Sequence, residues 1–179
     1  MKLACIFVLM LLVGIANATV PEWVQPGTSA TYDNSAADID QNGNYNNAVT
    51  LQESMQVQSV TPDEVTGIYT LSPRYPGASY TTQQWTYREG DVIGFARFWL
   101  DPQNPTASIK GENRVPLTVA GNGPFQAAGK TWDATTLQFV LPEKFETRVV
   151  YETNTGLVLE VVVMYPNKLI TVKLRSANV

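Results

Sequence analysis

The sequence predicts an all-β fold with antiparallel pairing, and three observations carry that prediction. Beyond residue 18 no segment shows the period of an amphipathic helix. Short runs rich in Thr, Val, Tyr and Gln alternate apolar with polar side chains. Eleven prolines and twelve glycines cut the 179 residues into pieces of strand length. The expected architecture is a β-sandwich or a strongly curved half-barrel that ends in a three-stranded meander over about 145–175.

Residues 1–18 stand apart. Lys2 precedes an apolar run from Leu3 to Ile15, and Ala16-Asn17-Ala18 offers small residues where a signal peptidase reads. The run falls short of the roughly 20 residues a membrane span needs. Residues 1–18 are therefore expected to be a cleaved signal peptide. The mature chain would be a single antiparallel β domain, 19–179, secreted or held at the cell surface, with no membrane span.

The strands follow in order. Val49–Val60 and Val65–Leu71 flank a turn at Thr61-Pro62-Asp63-Glu64 and predict a hairpin. Thr81–Arg88 and Val92–Leu100 flank Glu89-Gly90-Asp91 and predict a second. Val115–Ala120 and Lys130–Leu141 read as further strands, and 33–47 as the one loop-like stretch poor in apolar groups. The meander is the most specific reading. A three-residue loop at Asn154-Thr155-Gly156 pairs Tyr151 with Leu159, Val149 with Val161 and Phe145 with Tyr165. A two-residue loop at Pro166-Asn167 pairs Val163 with Ile170 and Val161 with Val172, and sets Glu160 opposite Lys173. A slip of one residue would put Glu against Val along the ladder. The middle strand is apolar on both faces, so Val158, Val162 and Met164 need cover from a second layer or a partner.

Composition removes many chemistries. The only cysteine is Cys5, inside the expected signal, and there is no histidine. The mature chain thus lacks disulfides, thiol chemistry, the commonest general base and the commonest zinc ligand. Thr19–Pro73 holds seven acids and no Lys or Arg, whereas the chain from Arg74 onward is nearly balanced. An acidic chain without a basic cluster argues against nucleic acid and anionic membrane surfaces. No enzyme is expected.

Three groups of residues are candidates for a site. Asp38, Asp40, Asn42 and Asn44, with Gly43 at the bend, place oxygens at the alternate positions of half a calcium loop. The position for a bidentate Glu is Val49, so a structural calcium ion competes with a plain Asn-Gly turn. Trp85 and Tyr87 alternate on one strand, and Arg74, Tyr75 and Tyr80 surround Pro76-Gly77. These form either a binding surface or part of the core. Glu143 with Glu146, or Asp91 with Asp101, offer carboxylate pairs of the glycosidase kind without any sign that they converge.

Three short motifs carry a resemblance. They are Trp23-Val24-Gln25-Pro26-Gly27 followed by Tyr32, Phe98-Trp99-Leu100-Asp101-Pro102, and Tyr151-Glu152-Thr153-Asn154-Thr155-Gly156-Leu157-Val158-Leu159. Together they resemble a loose group of secreted, mostly archaeal β-rich proteins of no established activity, in which an Asp stands where this chain has Glu152. The resemblance implies secretion and β architecture, and no activity.

The function expected first is a non-enzymatic extracellular or cell-envelope module that binds a partner or assembles with itself. Its extended start, Thr19–Gln25, is a candidate strand donor. A carrier of a hydrophobic ligand such as lipid, held in a curved sheet, is the alternative. A carbohydrate-active enzyme using carboxylates alone is the remote one.

Overall fold

The computed structural model describes residues 20–62, 64–73, 77, 79–87, 98–103, 105, 118–141 and 145–179. The described residues form nine strands: β1 (Ser29–Ile39), β2 (Tyr45–Val60), β3 (Val65–Leu71), β4 (Thr81–Tyr87), β5 (Thr118–Ala127), β6 (Lys130–Leu141), β7 (Phe145–Glu152), β8 (Val158–Tyr165) and β9 (Lys168–Ala177). They form one antiparallel sheet in the order β4-β3-β2-β1-β9-β8-β7-β6-β5. The fold is all-β, as the sequence predicts, and it is a curved open sheet rather than a two-sheet sandwich. Two meanders meet where β1 pairs with β9, from Ala30 opposite Ala177 to Asp38 opposite Lys168.

The β2–β3 hairpin has the expected turn, with Val60 opposite Val65 and Thr61 Oγ1 accepting from the Glu64 amide. The last meander keeps Val149 opposite Val161, Tyr165 opposite Lys168, and Glu160 opposite Lys173. Its first turn differs from the expectation. Glu152 donates its amide to the Leu157 carbonyl, so the loop spans 153–156, one residue longer. A bulge between Val150 and Tyr151 then sets Tyr151 opposite Val158, not Leu159. The extra residue is absorbed because the Glu152 carboxylate caps the loop amides from inside.

Two polar segments became strands against expectation. Residues 33–47 are not a loop: Asp33 to Ile39 continue β1, and only 40–44 turn. Here ladders on both sides, to β2 and β9, satisfy the backbone of a polar strand and override its weak propensity. β5 runs on through Gly121-Asn122-Gly123-Pro124 to Ala127, well past Ala120. Proline is tolerated there because β5 lies at the edge and Pro124 has no amide to pair. Of the expected second hairpin, β4 is present, while 88–97 lie outside the described residues.

The core lies against the face that carries Tyr32, Met55, Val57, Val65, Leu137, Val149 and Leu174. Two segments that belong to no strand help to fill it. Val24 is buried beside the start of β1, and Phe98, Trp99 and Leu100 are almost wholly buried. The β5–β6 hairpin turns back onto β9. Ala128 donates its amide to the Leu174 carbonyl at 3.2 Å, and Lys173 Nζ sits 5.1 Å from the Phe125 ring centre. Of the three residues expected to need cover, Val158 and Val162 are buried and Met164 is half-buried.

Candidate functional site

The 38–44 loop is the sharpest candidate from sequence, and its geometry is that of a self-capped turn. Asp40 Oδ1 accepts from the amides of Asn42 and Asn44 at 2.8 and 2.9 Å, and Oδ2 accepts from Asn44 Nδ2 at 3.0 Å. Asp40 also donates its amide to the Asn44 carbonyl, the oxygen expected to serve as a fourth ligand. Asp38 is directed elsewhere, accepting from Asn47 Nδ2 at 3.2 Å. Bonds from the Asn44 side chain and amide, joined by those from Asn42 and Asn46, hold the Asp40 carboxyl below its ordinary value. Among the described residues no cluster of three or more His, Cys, Asp or Glu could hold a metal ion. Hydrogen bonds within the turn engage the Asp40 carboxylate and the backbone amides of Asn42, Gly43 and Asn44.

Of the aromatic candidates, the described side chains of Trp85 and Tyr80 face different ways. Trp85 packs inward over Gly67, where any Cβ would overlap its ring, and its Nε1 has no hydrogen-bond partner among the described residues. Tyr80 is 68% exposed, so it points away from the core that Trp85 joins. Tyr87 stands opposite Val65 at the end of β4. Arg74 and Tyr75 lie outside the described residues. Of the two carboxylate pairs, Glu143 and Asp91 also lie outside them. Asp101 is buried and its Oδ1 accepts from the Gln103 amide at 2.9 Å, while Glu146 accepts from Gln138 Nε2.

Sequence reading missed a buried polar centre on the core face. Glu53 is fully buried on β2, opposite Tyr32 of β1 and Leu71 of β3, and its carboxylate reaches the side chains of Asn34 and Tyr69. Asn34 Nδ2 donates to Glu53 Oε1, and burial together with the Glu53 carboxylate pushes the Tyr69 phenol up to about 12. Tyr32, also raised by burial and by Glu53, donates to the Val158 carbonyl at 3.0 Å. A signal was present. Glu53 occupies the same strand phase as Val49, Leu51, Met55 and Val57, so an inward carboxylate is written into the alternation.

The three short motifs, far apart in sequence, converge at one end of the sheet. Trp23 Nε1 donates to the Thr155 carbonyl at 2.7 Å, and the Trp23 ring meets Phe98 edge-on at 5.7 Å. Trp99 forms a β-bridge with Leu157, and Leu100 donates its amide to the Gly156 carbonyl at 2.8 Å. Gly156 has φ +75°, and a Cβ there would collide with the Leu100 carbonyl. Glu152 fixes the loop, with Oε2 accepting from the amides of Asn154 and Thr155 at 3.2 and 2.6 Å and Oε1 from Asn154 Nδ2 at 3.1 Å. Burial acts to raise the Glu152 carboxyl, but the bonds from Thr155 and Asn154 outweigh it and leave it below its ordinary value. Between these segments opens a cleft of about 950 Å³, lined by 20–23, Gln25, 101–103, Asn154 and Thr155. Within the expected strand-donor segment, Trp23 bonds to the 152–156 turn of the same chain and Val24 is buried.

No model of a known protein family matches this chain, and no curated protein matches it.

Proposed function

We propose that this chain is an exported, non-enzymatic module that binds a partner outside the cytoplasm, with the loop end of the sheet as its binding end. The cleft carries this reading. Its walls come from three distant segments locked to each other by hydrogen bonds, and rigid loops on a β scaffold are where binding sites concentrate. The absence of histidine and of cysteine after residue 5 agrees with a role that needs no nucleophile or general base of those types. Self-assembly belongs to the same reading, with a second copy as the partner.

A specific observation favours the carrier reading as the alternative. A smaller hollow of about 270 Å³ on the core face sets Ala36, Val49, Leu51 and Ile170, apolar side chains that a lipid tail would suit, beside the polar Asn34, Asp38, Asn47 and Lys168, which a headgroup would suit. Sedimentation velocity on chain 19–179, in millimolar calcium and after chelation, separates the readings when paired with native mass spectrometry. Concentration-dependent large species support self-assembly, and their collapse on chelation would bring in a calcium ion at 38–44. A monomer that carries lipid supports the carrier and counts against the proposal.

A further inference from the structure

We infer that the loop-end cleft takes a neutral, hydroxyl-rich ligand, a saccharide. This rests on the binding end proposed above and names what occupies it. Three properties of the lining select the class.

Charge comes first. Among the described residues that line the cleft, Glu22 and Asp101 carry the ionisable side chains, and both are acidic. A carboxylate, phosphate or sulfate ligand would meet repulsion, with no Lys or Arg among the described lining residues to offset it. Hydrogen-bonding capacity comes second. Gln103, Asn154 and Thr155 present amides and a hydroxyl beside those carboxylates, so donors and acceptors interleave. That mixture matches vicinal hydroxyls, which both donate and accept. Shape comes third. Trp23 and the ring of Pro102 give apolar faces of the kind sugar C–H groups rest on.

The walls are set before any ligand arrives. The Glu152 carboxylate holds the Asn154 and Thr155 amides, Trp23 holds the Thr155 carbonyl, and Asp101 holds the Gln103 amide. A cleft built this way loses little conformational freedom on binding, so a few polar contacts suffice for useful affinity.

The test is an array of neutral glycans built from hexoses, pentoses and deoxyhexoses, probed with chain 19–179. Hits are followed by NMR titration that reads the Trp23 indole and the Asn154 side-chain amide. Hexagalacturonate and spermidine serve as charged controls. The expected result is a neutral glycan that shifts both resonances with a Kd on the order of 1 mM or tighter. Gln103→Ala, an exposed side chain whose loss leaves the turn intact, should weaken it about tenfold, the cost of one hydrogen bond to a ligand. The inference is overturned if no neutral glycan moves those resonances. It is also overturned if spermidine or hexagalacturonate moves them instead, in which case the binding end stands and only the ligand class falls. If neither glycans nor charged controls reach the cleft and the chain is a monomer carrying lipid, both proposals fall together.

Discussion

Two turns of this chain are built on the same device, and their fates differ. In each, a carboxylate folds back to accept the amides of its own loop and a glycine with positive φ completes the bend. At 40–44 the carboxylate is Asp40 and the glycine is Gly43, with φ +82°. At 152–156 they are Glu152 and Gly156, with φ +75°. The first turn stands in solvent at the tip of the β1–β2 hairpin, and nothing lies within 4 Å of a Cβ placed on Gly43. The second is gripped by Trp23 on one side and Leu100 on the other. Local chemistry closes both turns, and only the second is also a joint between distant parts of the chain.

Exchanging the two glycines tests that contrast most severely. Gly43→Ala should cost only the backbone penalty of a left-handed residue, about 1 kcal/mol. Gly156→Ala adds a collision with the Leu100 carbonyl and should cost about 2–4 kcal/mol. Urea midpoints at constant m would read the difference. Equal midpoints would mean that Phe98–Leu100 can shift away from the turn at no cost, and that the joint is loose.

Trp23→Phe is gentler. It keeps an aromatic ring near Phe98 and Trp99 and deletes the indole bond to the Thr155 carbonyl. The expected loss is about 1–2 kcal/mol, together with faster amide exchange at Thr155 and Gly156. Unchanged exchange there would show that Glu152 alone orders the loop.

Glu152 itself gives a pH signature. Its folded-state carboxyl lies below the ordinary value, so the unfolded chain binds the proton more readily than the folded one. The stabilisation is complete above the ordinary carboxylate value and is lost as pH falls through it toward the lowered folded value. Glu152→Gln should therefore destabilise by about 1–2 kcal/mol at neutral pH, and much less once the wild-type carboxyl is protonated. Parallel stability curves for the two proteins from neutral pH down to strong acid would contradict the assignment.

The same contrast explains what could be read from sequence. The β2–β3 hairpin and the β8–β9 turn were legible because alternation and turn residues point to one register. β1 was not legible, because Asp33, Asn34, Ser35 and Asp38 carry no local strand preference, and the strand exists through its two neighbours. β5 hid behind Gly121-Asn122-Gly123-Pro124, a string that locally reads as a turn. Half of each turn was legible too. The Asn-Gly and Thr-Gly signals fix where the chain bends. Neither says that Trp23 and Leu100, more than fifty residues away, close on one turn and leave the other bare.

The smallest expected effect decides how the exposed turn is used. Asp40 carries a lowered carboxyl through bonds from Asn44 first, and then Asn42 and Asn46, yet it is fully exposed. Water screens such a group, so Asp40→Asn should move the urea midpoint less than Glu152→Gln does. Both Asp40 oxygens already accept from their own loop, so an incoming calcium ion would have to displace those bonds or share the oxygens with them. On that geometry, millimolar calcium should leave the amide resonances of 38–47 in place in wild-type and Asp40→Asn chains alike. A saturable shift in the wild type, absent in Asp40→Asn, would show that the turn opens to bind the ion. The exposed turn would then be a second functional element beside the joint at 152–156.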